Sequence, residues 1–120
     1  MTADPTPGMT QDAFRALALS LPDAAEEPHV DRPSFRVRGK IFATLPPGGV
    51  QAVVKLPREH QELVTAEQPD IFTLGPWSSQ GWTYVALARL DGATARSVLL
   101  AAWRSVAPKR LSATLPGWPG

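Results

Sequence analysis

The residues with the clearest chemical potential are three cations at alternate positions. Arg36, Arg38 and Lys40 lie in the segment SFRVRGKIFATL, whose other residues favour a β-strand. Cations grouped in this way can neutralise the phosphates of a nucleic acid, with an affinity that fades as salt is added. Alternate cations also arise when one face of an antiparallel sheet is solvated and its edge is protected from aggregation. A sheet therefore explains the alternation, and the choice of a cation at all three positions indicates a polyanion.

Three more cations can join this group. Lys55 falls on a strand that we expect to lie adjacent, and Lys109 and Arg110 follow the last predicted helix. Together the six residues can converge on one side of the sheet, and this basic sheet face with its hairpin tip can contact the phosphate backbone of double-stranded DNA. Because no residue type here indicates base-specific contacts, such binding should be weak and sensitive to salt. The chain has 12 Lys and Arg against 11 Asp and Glu, so the attraction must come from local clustering rather than from net charge.

Aromatic side chains can stack on nucleic-acid bases if they are open to solvent, so the expected burial of four of them matters. Trp103 lies in the apolar stripe of the last predicted helix, and Trp82 and Tyr84 share one face of a strand. We expect all three of these side chains in the core. Trp77, in the loop GPWSSQG, is expected to be open to solvent.

A protein-interaction or chaperone-like module with no nucleic-acid role is the alternative function. In this hypothesis the sheet face, or the loop that carries Trp77 and Trp82, docks a peptide of a protein partner or forms a homodimer. An exposed apolar patch and concentration-dependent association would distinguish this function from DNA binding.

Signals for catalysis are weak throughout the sequence. Glu27 and His29, with Glu26, can shuttle a proton, although a solvated loop rich in Glu and Pro is the simpler explanation. His60 lies beside acidic residues on a polar helix, which is typical of solvated surface. No serine lies in a G-x-S-x-G elbow, no phosphate loop is present, and the lack of cysteine excludes thiolate chemistry. We predict a protein that is not an enzyme and holds no cofactor and no metal.

Apolar periodicity and proline or glycine breaks indicate the elements that position these side chains. A first helix follows Thr10 as its N-cap and stops at Pro22, and the segment DAAEEPHVDRP is predicted to be a connection. Gly39 marks a tight turn between two short strands. This turn places Arg38 and Lys40 at the tip of a hairpin.

The second half of the chain continues the alternation of strands and helices. The segment VQAVVKL is a third strand, and a short helix begins at Pro57 and ends before Pro69. The segment DIFTLGPW gives a brief fourth strand or an extended arm, and GWTYVALARL gives a better strand. A last helix runs from Asp91, its N-cap, to Pro108.

The element order αβββαβ(β)α predicts an α+β fold of two layers. A twisted antiparallel sheet of four to five strands is expected, with three helices packed on it. We place this single domain at residues 10–112, between a flexible tail at 1–9 and a loose tail at 113–120. No apolar stretch approaches the roughly 20 residues that span a bilayer, and the start lacks the features of a signal peptide. We therefore expect a cytoplasmic protein without a membrane partner.

Four segments together resemble the MmcQ/YjbR family of small bacterial proteins, which are often labelled DNA-binding: SFRVRGKIFATL, VVKLP, GPWSSQGWTYVAL and AWRSVAPKRL. The resemblance runs from about Asp12 to Leu111. It implies a compact α+β fold with a topology similar to type III secretion chaperones, a "double wing" DNA-binding role and no known catalytic residue. The positions that match the family pattern are Arg38, Gly39, Lys40, Phe42, Gly81, Trp82, Lys109 and Arg110.

Overall fold

The computed structural model describes residues 8–113, and two of its helices begin directly after the predicted N-caps Thr10 and Asp91. Helix α1 spans Gln11–Leu19, and the Oγ1 of Thr10 accepts a hydrogen bond from the backbone N–H of Ala13. Helix α2 spans Arg58–Glu67 directly after Pro57. Helix α3 spans Gly92–Val106 and is followed by the short helix α4, Lys109–Ser112. Residues 1–7 and 114–120, which hold most of both predicted tails, lie outside the described part of the chain.

The strands of the described chain form one antiparallel sheet. In space their order is β1-β2-β3-β4-β6-β5, and every neighbouring pair is antiparallel. Short 3₁₀ turns occupy Ser78–Gln80 and Leu87–Arg89. The strand bounds are Ala24–His29 for β1, Arg32–Val37 for β2, Lys40–Thr44 for β3, Gln51–Lys55 for β4, Phe72–Leu74 for β5 and Trp82–Ala86 for β6.

The predicted α+β class with an antiparallel sheet is confirmed, and the strand count differs because of β1. The segment predicted to be a connection pairs with β2 over Ala24–His29, so that prediction was wrong. β1 lies at an edge of the sheet, and beyond its first residue every side chain is exposed. Backbone pairing alone defines this strand, and apolar alternation could not reveal it. With the brief strand β5 included, the sheet has six strands rather than four to five.

The two faces of the sheet have different neighbours. Helices α1 and α3 pack against one face, where Phe35, Val54 and Val85 are fully buried. We call the opposite face the open face. On it, Val53 pairs with Tyr84 and Lys55 pairs with Trp82. Its side chains include those of Arg36, Ile41, Thr44, Val53, Lys55, Trp82 and Tyr84.

The covered face is sealed by large side chains. Trp103 of α3 is fully buried, as predicted, and its Nε1 donates a hydrogen bond to the carbonyl of Pro22 at 2.9 Å. The ring of Phe14 from α1 meets the ring of Phe35 from β2 edge to face, with 6.3 Å between centroids. The ring contact joins α1 to β2, and the hydrogen bond joins α3 to the turn between α1 and β1. Within the described residues the open face is free of helices.

Candidate nucleic-acid interface

The predicted cations gather at one end of the molecule. Arg38 and Gly39 form the two-residue turn between β2 and β3, with φ angles of 52° and 84°. Positive φ at both positions is the signature of a type I′ hairpin turn, so the predicted hairpin is present. Lys40 begins β3 immediately after this turn, and Lys55 ends β4 at the same side of the sheet.

Helix α3 brings the last two cations to this end. Its final turn reaches β4, because the Oγ of Ser105 donates a hydrogen bond to the carbonyl of Lys55 at 3.3 Å. Lys109 and Arg110 follow in α4, and both are exposed. We call the resulting group the basic end; it consists of Arg36, Arg38, Lys40, Lys55, Lys109 and Arg110.

Two members of the basic end lie side by side on the open face. Arg36 on β2 lies opposite Ile41 of β3. Lys55 lies on β4, which pairs with the other side of β3. Since neighbouring strands are about 4.8 Å apart, these two backbones are separated by roughly 10 Å. Phosphates of one backbone strand can therefore contact both cations.

Carboxylates already neutralise two of the arginines. The Nε of Arg36 donates to the Oγ of Ser34 at 3.0 Å and lies 3.8 Å from a carboxylate oxygen of Glu27. The Nε of Arg38 donates to Asp23 at 3.1 Å. The Arg38 pair is exposed, and such pairs contribute about 0–1 kcal/mol, so a phosphate can compete for this arginine. Arg36 is half-buried, although its carboxylate partner Glu27 is exposed.

The other four cations of the basic end are not held in this way. Within residues 8–113, no ion pair involves the side chains of Lys40, Lys55, Lys109 or Arg110. The ammonium of Lys55 instead lies 5.7 Å from the ring centroid of Trp82. A cation over an aromatic ring in an exposed setting is stabilised by about 0.5–1 kcal/mol and keeps its charge available.

The prediction that Trp82 and Tyr84 belong to the core was wrong. Both side chains are half-buried on the open face, while Thr83, which lies between them, and Val85, which follows them, are buried on the covered face. The Nε2 of Gln61 in α2 donates to the Oγ1 of Thr83 at 3.0 Å, which satisfies this polar group inside the protein. A buried polar partner thus sets the orientation of β6, and the sequence pattern does not show it.

A concavity of about 590 Å³ lies on the open face, and we call it the aromatic groove. Val53, Trp82 and Tyr84 form part of its floor, while Val30 of the β1–β2 turn and Trp77 of the β5–β6 loop contribute to opposite walls. Trp77 is 62% exposed, in agreement with its predicted open position, and Val30 is 94% exposed. The other lining residues are His29, Asp31, Arg32, Ile41, Thr44 and Gln80.

The three residues considered for acid–base chemistry do not all share one face of the sheet. Glu26 and Glu27 are consecutive in β1, so their side chains point to opposite faces of the sheet. Glu26 accepts a hydrogen bond from Arg15 at 2.9 Å, whereas Glu27 faces Arg36. His29 lies two residues further on the edge strand, on the same side as Glu27.

Three observations bear on other kinds of site in the described chain. Burial lowers the pKa of the His60 imidazole below its usual 6.5. Residues 8–113 contain no group of three or more His, Cys, Asp or Glu side chains placed to hold a metal ion. None of the helices described is both long and apolar enough to cross a membrane.

Comparison with known proteins gives one result. A family model described as YjbR matches residues 19–105, from the end of α1 to the last turn of α3. The matched region contains all strands of the described sheet and four of the six cations of the basic end. Searches of curated proteins and of solved structures gave no significant match.

Proposed function

We propose that this chain, which belongs to the YjbR family, is a non-enzymatic protein that binds the phosphate backbone of double-stranded DNA through its basic end. The family match confirms the resemblance seen in the sequence, and it covers most of the chain. The observation that carries the proposal is the convergence of six cations from distant segments at one end. Four of them have no carboxylate partner in the described chain.

The shape of the basic end supports contact with a duplex backbone. The β2–β3 turn carries Arg38 at its tip with Lys40 beside it, while Lys109 and Arg110 stand on the helical side. Cations on two sides of a protruding hairpin can reach phosphates on either side of a groove. The proposal assigns all six cations to the phosphate backbone and none to a base edge. The contacts should therefore position the DNA without selecting a sequence.

The size of the salt effect follows from the number of phosphates contacted. Each neutralised phosphate of duplex DNA contributes roughly 0.9 to the slope of log affinity against log salt concentration. Four contacts would then lower the affinity about 100-fold between 50 and 200 mM salt. Arg36 and Arg38 can add to this slope only after they exchange their carboxylates for phosphates.

The test is a fluorescence-anisotropy titration of labelled duplex DNA at about 50 and 200 mM salt. The variant K40E/K109E reverses two exposed, unpaired cations of the basic end. The matched control R89E/R96E reverses two exposed arginines at the opposite end of the molecule. We expect the first variant to bind more weakly, with a salt slope shallower by about 2, and the control to change little. Equal losses in both variants would show that net charge, rather than the basic end, attracts the DNA.

Protein interaction, including self-association, is a second candidate because of two exposed side chains. Val30 and Trp77 face solvent across the aromatic groove, and exposed apolar side chains of this kind mark interaction surfaces in many proteins. This candidate predicts that the apparent mass of the protein in sizing experiments rises with concentration and that duplex DNA does not bind at either salt.

A further inference from the structure

Three aromatic rings surround one concavity on the open face. Trp82 and Tyr84 are two residues apart on β6, so they point to the same side about 7 Å from each other. Trp77 contributes a third ring from the β5–β6 loop, across the same groove. Large aromatic side chains grouped at a surface indicate a binding site, since folding alone would favour their burial.

The structure holds two of these rings in place before any ligand arrives. Gly75 lies against the Tyr84 ring, and a Cβ at this glycine would stand only 2.2 Å from the nearest ring carbon. Lys55 contacts the Trp82 ring, and the nearly buried Val53 lies between β3 and Tyr84 in the sheet. Rings that are already ordered lose little conformational entropy when a flat partner stacks on them.

The charges of the open face decide which flat partner fits. Arg32, Arg36 and Lys55 are on this face, and Lys40 stands at its margin. Glu27 and Asp31 offset part of this charge through exposed pairs. A second copy of the chain would bring its own cations against this surface. A neutral proline-rich peptide would leave the cations without counterions. An anionic chain of flat bases satisfies both the rings and the cations.

We propose that the aromatic groove binds single-stranded nucleic acid, with bases stacked on Trp77, Trp82 and Tyr84. The sugar-phosphate backbone passes over Lys55 and Arg36, and this step rests on the proposed function, because these cations belong to the basic end. The groove volume of about 590 Å³ falls within the range of roughly 300–1,000 Å³ that is typical of sites for small organic ligands. It can therefore accept one or two bases.

The experiment compares a labelled oligothymidine of about 15 nucleotides with a labelled duplex. Both are titrated against the wild type, W77A, W77L and the control L74A, an exposed apolar residue of β5 that does not line the groove. W77L keeps an apolar side chain and removes the ring, so it separates stacking from hydrophobic contact. Quenching of tryptophan emission by the unlabelled oligothymidine provides a second readout.

We expect W77A and W77L to bind oligothymidine roughly 5- to 150-fold more weakly, as measured for loss of a stacking ring. Both variants should bind the duplex like wild type, and L74A should bind both ligands normally. Wild-type affinity of W77L for the oligothymidine, or equal losses for duplex and single strand, would overturn the stacking proposal.

The outcomes for the two proposals are separable. Salt-dependent binding of the duplex without binding of the oligothymidine would overturn the groove proposal and leave the basic end as the DNA site. Binding of the oligothymidine without binding of the duplex would overturn the proposal for the basic end and leave the aromatic groove as the nucleic-acid site. If neither nucleic acid binds, both proposals fail. A rise of apparent mass with concentration would in that case favour self-association through the groove.

Discussion

The covered face and the open face of the sheet are built from similar residue types for different purposes. On the covered face Phe35, Val54 and Val85 are fully buried beneath α1 and α3. On the open face the floor residue Val53 is nearly as well buried, yet Trp82 and Tyr84 on the adjacent strand remain half-exposed. Within residues 8–113 the open face thus has an apolar floor with no helix over it.

This difference separates residues that stabilise the fold from residues that are free to bind. Burial of apolar surface contributes about 25 cal/mol per Å², so the covered face supplies most of the stabilisation. The open face presents three aromatic rings. The ammonium of Lys55 lies over the ring of Trp82, and Gly75 leaves room for the ring of Tyr84. Substitutions on the two faces should therefore affect different measurements.

The largest expected contrast is between two tryptophans. Trp103→Ala removes a fully buried ring and its hydrogen bond to Pro22, so the free energy of unfolding should fall by about 3–5 kcal/mol. Trp82→Ala removes a half-buried ring and should cost less than about 1.5 kcal/mol. Urea unfolding followed by circular dichroism measures both. Similar losses for the two variants would mean that the open face also carries the stability of the fold.

A smaller effect is expected at Gly75, where the open face depends on close packing. Gly75→Ala places a Cβ against the Tyr84 ring, and we expect a loss of about 1–3 kcal/mol as the ring is displaced. In the background of Tyr84→Ala the same change should cost much less, because the obstructing ring is gone. A double-mutant cycle by urea unfolding tests this coupling. Additive losses would show that Gly75 is needed for another reason.

Local signals made the helices and the hairpin tip predictable from sequence. The N-cap residues Thr10 and Asp91 and the flexible Gly39 act within a few residues of their own position. Their effect therefore does not depend on the rest of the fold. The position of Arg38 and Lys40 at the hairpin tip followed from the same local pattern. Lys55, Lys109 and Arg110 join them only through the pairing of β4 and the packing of α3.

Features that depend on distant partners could not be predicted. β1 has exposed side chains and two prolines face each other at Pro28 and Pro33, so only its pairing with β2 makes it a strand. The orientation of β6 depends on Gln61, more than 20 residues before Thr83. The aromatic groove joins residues from Val30 to Tyr84, and no spacing along the chain indicates that they meet.

The cap of α3 gives a prediction that concerns the covered face alone. Asp91 accepts a hydrogen bond from the N–H of Thr94 at 2.7 Å. Hydrogen bonding to the side chain of Thr94, and then to its backbone N–H, lowers the pKa of the Asp91 carboxyl below the usual 3.8. Asp91→Ala should reduce the free energy of unfolding by about 1 kcal/mol at pH 7. Since the folded pKa is the lower one, the charge stabilises the protein above pH 3.8 and loses this effect as the carboxyl is protonated.

The pH dependence separates the charge of this cap from its hydrogen bond. Asp91→Asn keeps a side-chain oxygen that can accept from Thr94, so its deficit relative to wild type should be smaller than that of the alanine variant at pH 7. Because the aspartate is exposed, the charge contribution is small, and the deficit should shrink further at pH 3. A deficit that grows towards pH 3 in urea unfolding would contradict a lowered pKa.

The smallest expected change in stability is a gain, at the wall of the aromatic groove. Val30 has a φ of 59°, a left-handed conformation that is unfavourable for a β-branched residue, and its side chain is 94% exposed. Val30→Gly removes this strain and loses no buried surface, so we expect a gain of up to about 1 kcal/mol, reduced by the greater freedom of glycine in the unfolded chain.

Strain that persists at an exposed position is typical of sites kept for binding. The same variant should therefore be more stable in urea and bind oligothymidine more weakly, because the groove loses one wall. A variant that gains stability and binds like wild type would show that the strained turn does not serve the groove.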